Sequence, residues 1–106
     1  MVFVVKYTYP DPLKLLEVIV KHGQFNDILK LHKMIYTMKK NGVDLGYNFI
    51  IYSFGPYSKE LDEDLRLLNK LGLITIERKG DKVFIRPTVK GIEICKSMKL
   101  SIGMGV

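Results

Sequence analysis

The chain has 106 residues, a mass of 12.2 kDa and 47% hydrophobic residues, which fits one compact domain with one modest core and excludes two. Lys and Arg outnumber Asp and Glu by 17 to 11, and the net charge of +6 favours either an anionic partner such as nucleic acid or lysine-based solubility. The single cysteine excludes an intramolecular disulfide, and we find neither a secretory signal nor a membrane-length apolar run, so a soluble, cytoplasmic protein is expected.

The first part of the chain predicts a strand and two helices. Residues 2–9, VFVVKYTY, are β-branched and aromatic, and they predict a strand that ends at Pro10. Asp11 followed by proline predicts the N-cap of helix one, which should end at Gly23. Asn26 predicts the start of helix two, and Asn41-Gly42 its end. The outer face of helix two carries three lysines: Lys30, Lys33 and Lys40.

The second part predicts a strand, a helix, a hairpin and a closing helix. Residues 47–54, YNFIIYSF, predict a short, largely buried strand, and helix three should start near 56–58 and end at Gly72. Two β-type runs around Gly80-Asp81 predict a hairpin over 73–86. Thr88 is a predicted cap for a last helix, and the sequence indicates a single domain over 1–100 with a flexible tail over 101–106.

This order of elements resembles a winged-helix domain. The segments LLNKLGLI at 67–74 and PTVKGIEI at 87–94, on either side of the hairpin, are similar to the pattern of MarR-like and PadR-like regulators. KLHKMIY at 30–36 and GPYS at 55–58 resemble the signatures of an uncharacterised prokaryotic winged-helix group. The resemblance implies an α+β winged-helix fold, a homodimer, and DNA binding as the commonest use of the fold.

The chain departs from that pattern between helices two and three. A helix-turn-helix joins its helices by a turn of about three or four residues, whereas residues 42–57 separate them here. Either a strand is inserted, or the segment YNFIIYSF forms a short helix. Its aromatic residues suit a core strand under helix three, or alternatively stacking on single-stranded bases.

Helix three carries charges of both signs on its predicted outer side. At about 100° per residue, Leu61, Leu65, Leu68 and Leu71 define the buried side. The opposite side can contact DNA through Lys59, Arg66 and Lys70, with Asn69 on one shoulder able to read an adenine edge. Alternatively, the helix is an ordinary amphipathic one, or it meets a basic protein partner through the acids Glu60, Asp62, Glu63 and Asp64.

The hairpin is predicted to be a basic wing. Its cations can follow the phosphate backbone of DNA, although a solvated hairpin tip has a similar composition. The hairpin's own four cations are Arg78, Lys79, Lys82 and Arg86, and Lys90 follows as a fifth, against the two acids Glu77 and Asp81.

The sequence contains no recognisable catalytic or metal-binding pattern. His22 and His32 are ten positions apart and the lone Cys95 is distant, so no pair has metal-ligand spacing, and His32 and Cys95 are expected in or near the core. We therefore expect no enzyme, no cofactor and no metal. The leading hypothesis is a small, homodimeric transcriptional regulator that binds double-stranded DNA, and the alternative is an antitoxin-like protein adaptor that uses the acids of helix three.

Overall fold

The computed structural model describes residues 10–103, with side chains up to Met98, as an α+β domain of four helices and two antiparallel hairpins. The predicted strand over 2–9 and residues 104–106 lie outside this part of the chain. The elements in chain order are α1 (Pro12–His22), α2 (Ile28–Lys40), β1 (Ile50–Tyr52), β2 (Gly55–Tyr57), α3 (Lys59–Lys70), β3 (Ile74–Lys79), β4 (Lys82–Pro87) and α4 (Val89–Gly103). Helix α4 therefore extends through the first three residues of the segment 101–106.

Each helix begins at a side chain that accepts a backbone N–H. Asp11 caps α1, as predicted, and Ser58 caps α3, within the predicted start range of 56–58. The hydroxyl of Thr88 accepts the N–H of Gly91 at 3.0 Å and so caps α4. The prediction for α2 was wrong by one residue, because Asp27 rather than Asn26 accepts the N–H of Leu29.

The core lies between α1, α2, α3 and the inner face of the β3–β4 hairpin. Most of it consists of aliphatic side chains that are at most 1% exposed: Leu15, Leu16, Ile19, Leu31, Ile35, Leu61, Leu65, Leu68, Ile74 and Ile85. Cys95 is buried on α4, as predicted. Leu71 was expected on the buried side of helix three, but α3 ends at Lys70 and Leu71 is 48% exposed.

The β3–β4 hairpin is bonded to the loop between α1 and α2. Phe25 exchanges two backbone hydrogen bonds with Ile85, at 2.9 and 2.8 Å. Phe25 thus acts as a one-residue third strand at the edge of β4. On this side, backbone hydrogen bonds as well as side-chain packing hold the hairpin on the domain.

Helix α4 packs closely on the segment that follows α3. A Cβ atom on Gly91 would overlap the carbonyl oxygen of Leu73, so the helix approaches the chain at a distance that only glycine allows. The hydroxyl of Thr88 also donates to the carbonyl of Gly72 at 2.6 Å. These contacts explain why the Thr-x-x-Gly spacing occurs at the start of α4.

The segment between α2 and α3 forms a second hairpin, β1–β2, rather than a short helix. A strand does form within 47–54, at Ile50–Tyr52, but the prediction that it would be largely buried and lie in the core under helix three was wrong. Tyr47 is 1% exposed, but Ile50, Ile51 and Phe54 are 62%, 60% and 55% exposed. The core is closed by α1, α2, α3 and the β3–β4 hairpin, and within the described residues no further layer covers the exposed side chains of β1.

Candidate nucleic-acid interface

A cleft of about 460 Å³ separates α3 from the β3–β4 hairpin. Its apolar floor continues the core, and its polar groups come from both elements. The lining residues are Ile28, Tyr57, Asp62, Leu65, Arg66, Asn69, Ile76, Arg78 and Val83. Three of the sequence-predicted DNA-binding residues, Arg66, Asn69 and Arg78, therefore lie around one concave site.

The register of the β3–β4 hairpin divides its four cations between two faces. Arg78 is opposite Val83 in the ladder and shares a face with Ile76, the face that packs on the core. Lys79 pairs with Lys82 on the other face, where Arg86 is also located opposite Thr75. The predicted wing is thus not one basic surface, since Arg78 faces the cleft while Lys79, Lys82 and Arg86 face away from α3.

Lys79 makes two local contacts on that outer face. Its ammonium is 3.9 Å from the carboxylate of Glu77 and 5.7 Å from the centre of the Phe84 ring. Glu77 and Phe84 lie on the same face of the hairpin as Lys79, opposite to the face that carries Arg78. An exposed ion pair of this kind contributes little to stability. The Lys79 side chain is 64% exposed and is therefore accessible to solvent.

Helix α3 presents its predicted DNA-binding side chains to solvent. Two exposed residues of the helix, Arg66 and Asn69, line the cleft. Lys59 and Lys70 are also exposed but lie outside it. Ser58 caps the helix and Leu61, Leu65 and Leu68 hold its inner side, so its rotation is fixed by burial. The helix therefore presents a guanidinium and an amide toward the hairpin from consecutive turns.

A buried histidine underlies one end of the cleft. His32 is fully buried, and its Nδ1 atom accepts the backbone N–H of Ser58 at 3.0 Å. Nδ1 therefore carries no proton, and Nε2–H donates to the Oδ1 atom of Asp62 at 3.2 Å. Burial lowers the pKa of His32 although Asp62 acts in the opposite direction, so the ring is neutral at physiological pH.

Tyr57 completes this network at the cleft wall. Its ring stacks on His32 with centroids 4.4 Å apart, and its hydroxyl donates to Asp62. The hydrogen bond to Asp62, followed by burial, raises the pKa of Tyr57 to about 12. Asp62 is thus occupied by two donors from within the chain and orients Tyr57 beside Arg66.

The network was not predicted from the sequence. His32 was expected near the core and Asp62 among the acids of helix three, but the two are thirty positions apart. No local spacing links them, because the contact depends on how α2 packs against α3. The only signal of this network in the sequence was a histidine expected near the core, followed by a helix that is rich in acids.

Two more of the acids proposed for a protein partner are engaged within the chain. Asp64 accepts the hydroxyl of Tyr47 at 2.6 Å, and Glu60 accepts the backbone N–H of Asn48 at 3.1 Å. Asp62 is bound to His32 and Tyr57, and Glu63 is the one exposed acid of the four. The acids of α3 thus serve first to fasten the β1–β2 region to the helix.

The lysines of α2 lie away from the cleft. Lys30 and Lys33 border a shallow groove with Met34 and Met38, and Lys40 sits 5.4 Å from the ring centre of Tyr36. Lys30 precedes His32 by two residues, which places it about 200° around the helix from the side that meets α3. The structure therefore does not bring the α2 lysines together with Arg66, Asn69 and Arg78.

The chain matches no protein-family model, and no curated protein is significantly similar to it. Within residues 10–98, no three His, Cys, Asp or Glu side chains are grouped to hold a metal ion. No helix in the described part of the chain has the length and apolar character needed to cross a membrane.

Proposed function

We propose that the protein is a cytoplasmic winged-helix DNA-binding protein that uses α3 and the β3–β4 hairpin to contact duplex DNA, as a small transcriptional regulator does. The order of three helices, hairpin and closing helix supports this proposal, as does the backbone pairing of Phe25 with β4. The segment that carries β1–β2 is then an insertion between the two helices of a helix-turn-helix. No cofactor or metal is required for this function.

The observation that carries the proposal is the convergence of Arg66, Asn69 and Arg78 on one cleft. Two guanidiniums on neighbouring elements can neutralise adjacent phosphates, and they hold their charge at every physiological pH. The amide of Asn69, which lines the same cleft, can donate to and accept from an adenine edge. The chain's net charge of +6 adds a long-range attraction for a polyanion.

The outer-face cations have a different part in this proposal. Lys79, Lys82 and Arg86 face away from α3, so they contribute to the general positive field rather than to the contacts at the cleft. The same holds for Lys30, Lys33 and Lys40 on α2, while Lys59 and Lys70 flank the contacts on α3.

The test is a titration of random-sequence duplex DNA with the protein, in which fluorescence anisotropy measures binding at salt concentrations between about 50 and 200 mM. Affinity should fall steeply with salt. Arg78→Ala should weaken binding on all sequences and reduce the salt slope by about one, whereas Asn69→Ala should matter only on a selected operator.

Arg86→Ala is the matched control, because it removes the same charge from the opposite face of the same hairpin. If Arg86→Ala and Arg78→Ala weaken binding equally, net charge rather than the cleft is responsible. Binding that does not respond to salt would reject DNA as the partner.

A protein-binding function is the second candidate, and the exposed apolar side chains of β1–β2 favour it. The acids of α3 support it less than the sequence suggested, because Glu60, Asp62 and Asp64 are hydrogen-bonded within the chain. Charge reversal at Glu63, the one exposed acid of the four, tests whether the acidic side of α3 is an adaptor site. A pull-down that still succeeds with this variant would exclude that site.

A further inference from the structure

The β1–β2 hairpin exposes apolar side chains on both of its faces. Ile50 and Ile51 are consecutive in a strand, so they point to opposite sides, yet they are 62% and 60% exposed. Tyr52 and Phe54 are also exposed, and their rings stack with centroids 5.1 Å apart. A hairpin that covered the core with one face would hide alternate residues, so this one projects from the domain.

Among the described residues, one edge of the hairpin is unpaired and the other lies against α2. Strand β2 lies against α2, where Tyr57 stacks on His32, and it contains Pro56, which has no N–H. Strand β1 pairs only with β2 among the described residues, so its outer edge has backbone groups available for another strand. An open, apolar edge is a template for β-pairing.

Charge indicates what can pair with this edge. Residues 45–58 contain no charged side chain, although 26% of the chain is charged. A stretch without cations is poorly suited to phosphate, which disfavours nucleic acid as its partner. In a chain of net charge +6, it is also a surface on which two copies can meet without opposing like charges.

From these observations we propose that two copies of the chain associate through β1, with their β1 strands paired antiparallel across a twofold axis. Antiparallel pairing of a strand with itself is isologous, as closed dimers require. It extends two hairpins into one four-stranded sheet and places the exposed Ile50, Ile51 and Tyr52 side chains of the two copies beside one another. The proposal does not depend on DNA binding, and either can fail alone.

The test is sedimentation equilibrium of the whole chain over a wide range of protein concentration. The wild type should reach 24.4 kDa, twice its mass of 12.2 kDa, and dissociate on dilution. Ile51→Glu and Ile51→Lys each place like charges across the axis, so each should raise the dissociation constant more than about tenfold. Equimolar mixing of the two variants should restore association, because the opposite charges then meet.

Val89→Glu is the matched control, since Val89 is 72% exposed at the start of α4 and far along the chain from the hairpin. It should leave the dimer intact, and circular dichroism should show all variants folded. A wild type that stays at 12.2 kDa, or an Ile51→Glu variant that still dimerises, would overturn the proposal. The first result would assign the edge to another occupant, either residues 2–9 of the same chain or a different protein.

Discussion

The Nδ1 atom of His32, in α2, accepts the backbone N–H of Ser58, the residue that caps α3, at a distance of 3.0 Å. This contact joins the two helices at the point where the chain returns from the β1–β2 hairpin. The other ring nitrogen faces Asp62 in the first turn of α3. A single neutral imidazole therefore holds the start of α3 from two directions, and its protonation state matters to the fold.

Acidification should destabilise the protein through His32. Because burial lowers the pKa of His32 below 6.5, the unfolded chain binds the proton more readily than the folded chain. The stabilisation is complete above pH 6.5 and is lost as the pH falls toward the folded-state pKa, since protonation of Nδ1 breaks its bond to Ser58. Urea unfolding at about pH 7.5 and about pH 5 measures this loss.

Two variants separate His32 from the carboxylates that also titrate. His32→Gln should be less stable at neutral pH by about 1–3 kcal/mol, and its stability should decline less on acidification. His22→Gln removes an exposed imidazole that stacks on Phe25, and the stability of this variant should decline on acidification as much as that of the wild type does. An unchanged pH dependence in His32→Gln would contradict this role.

Tyr47→Phe should destabilise the domain by about 1.5–3 kcal/mol. Tyr47 is 1% exposed and donates to Asp64 at 2.6 Å, and burial together with this bond raises its pKa. The variant keeps the ring but leaves the carboxylate without that donor. Tyr52→Phe, on the exposed hairpin, is the control and should change the free energy of unfolding by less than about 0.5 kcal/mol. Equal effects would mean that the hydrogen bond contributes nothing.

Gly91→Ala should destabilise the domain although alanine favours helices. The added Cβ would overlap the Leu73 carbonyl, so α4 must shift and the cost should be about 1–3 kcal/mol. Glu93→Ala, on the exposed side of the same helix, should be close to neutral. Thermal unfolding of both variants measures the difference, and a stabilised Gly91→Ala protein would refute the close approach of α4.

The α2 lysines should matter less for DNA than Arg66. Lys30→Ala and Lys33→Ala each remove one charge, but they do so beside the Met34 groove and away from the cleft. Under the proposed function, their loss should lower affinity only modestly, whereas Arg66→Ala should cost about 1–3 kcal/mol on a selected operator. Anisotropy titrations at one fixed salt concentration give the comparison. A larger loss from Lys30→Ala than from Arg66→Ala would move the interface to α2.

Local signals in the sequence were sufficient for the helices and for the β3–β4 hairpin. Asp11, Ser58 and Thr88 act as caps because their side chains satisfy nearby N–H groups, which depends on neighbours only. Similarly, the apolar spacing of α3 located Leu61, Leu65 and Leu68 correctly in the core.

What the sequence could not reveal depends on distant packing. The run at 47–54 is as apolar as a core strand, but burial requires another layer, and apolar content alone does not show whether one exists. The division of the wing cations was in principle accessible, because side chains alternate along a strand and Gly80 marks the turn. The prediction of a basic wing ignored this alternation, and it therefore grouped Arg78 with Lys79, Lys82 and Arg86 on the opposite face.

The pairing of Phe25 with Ile85 has a consequence for how the chain folds. The two residues are sixty positions apart, so their hydrogen bonds close a long loop and cost chain entropy before they return stability. The helices and the hairpins can form from neighbours, whereas this pairing waits until α1 and the hairpin are already assembled. We therefore expect the amide protons of Phe25 and Ile85 to exchange with solvent only when the whole domain opens, so that their protection reports its global stability.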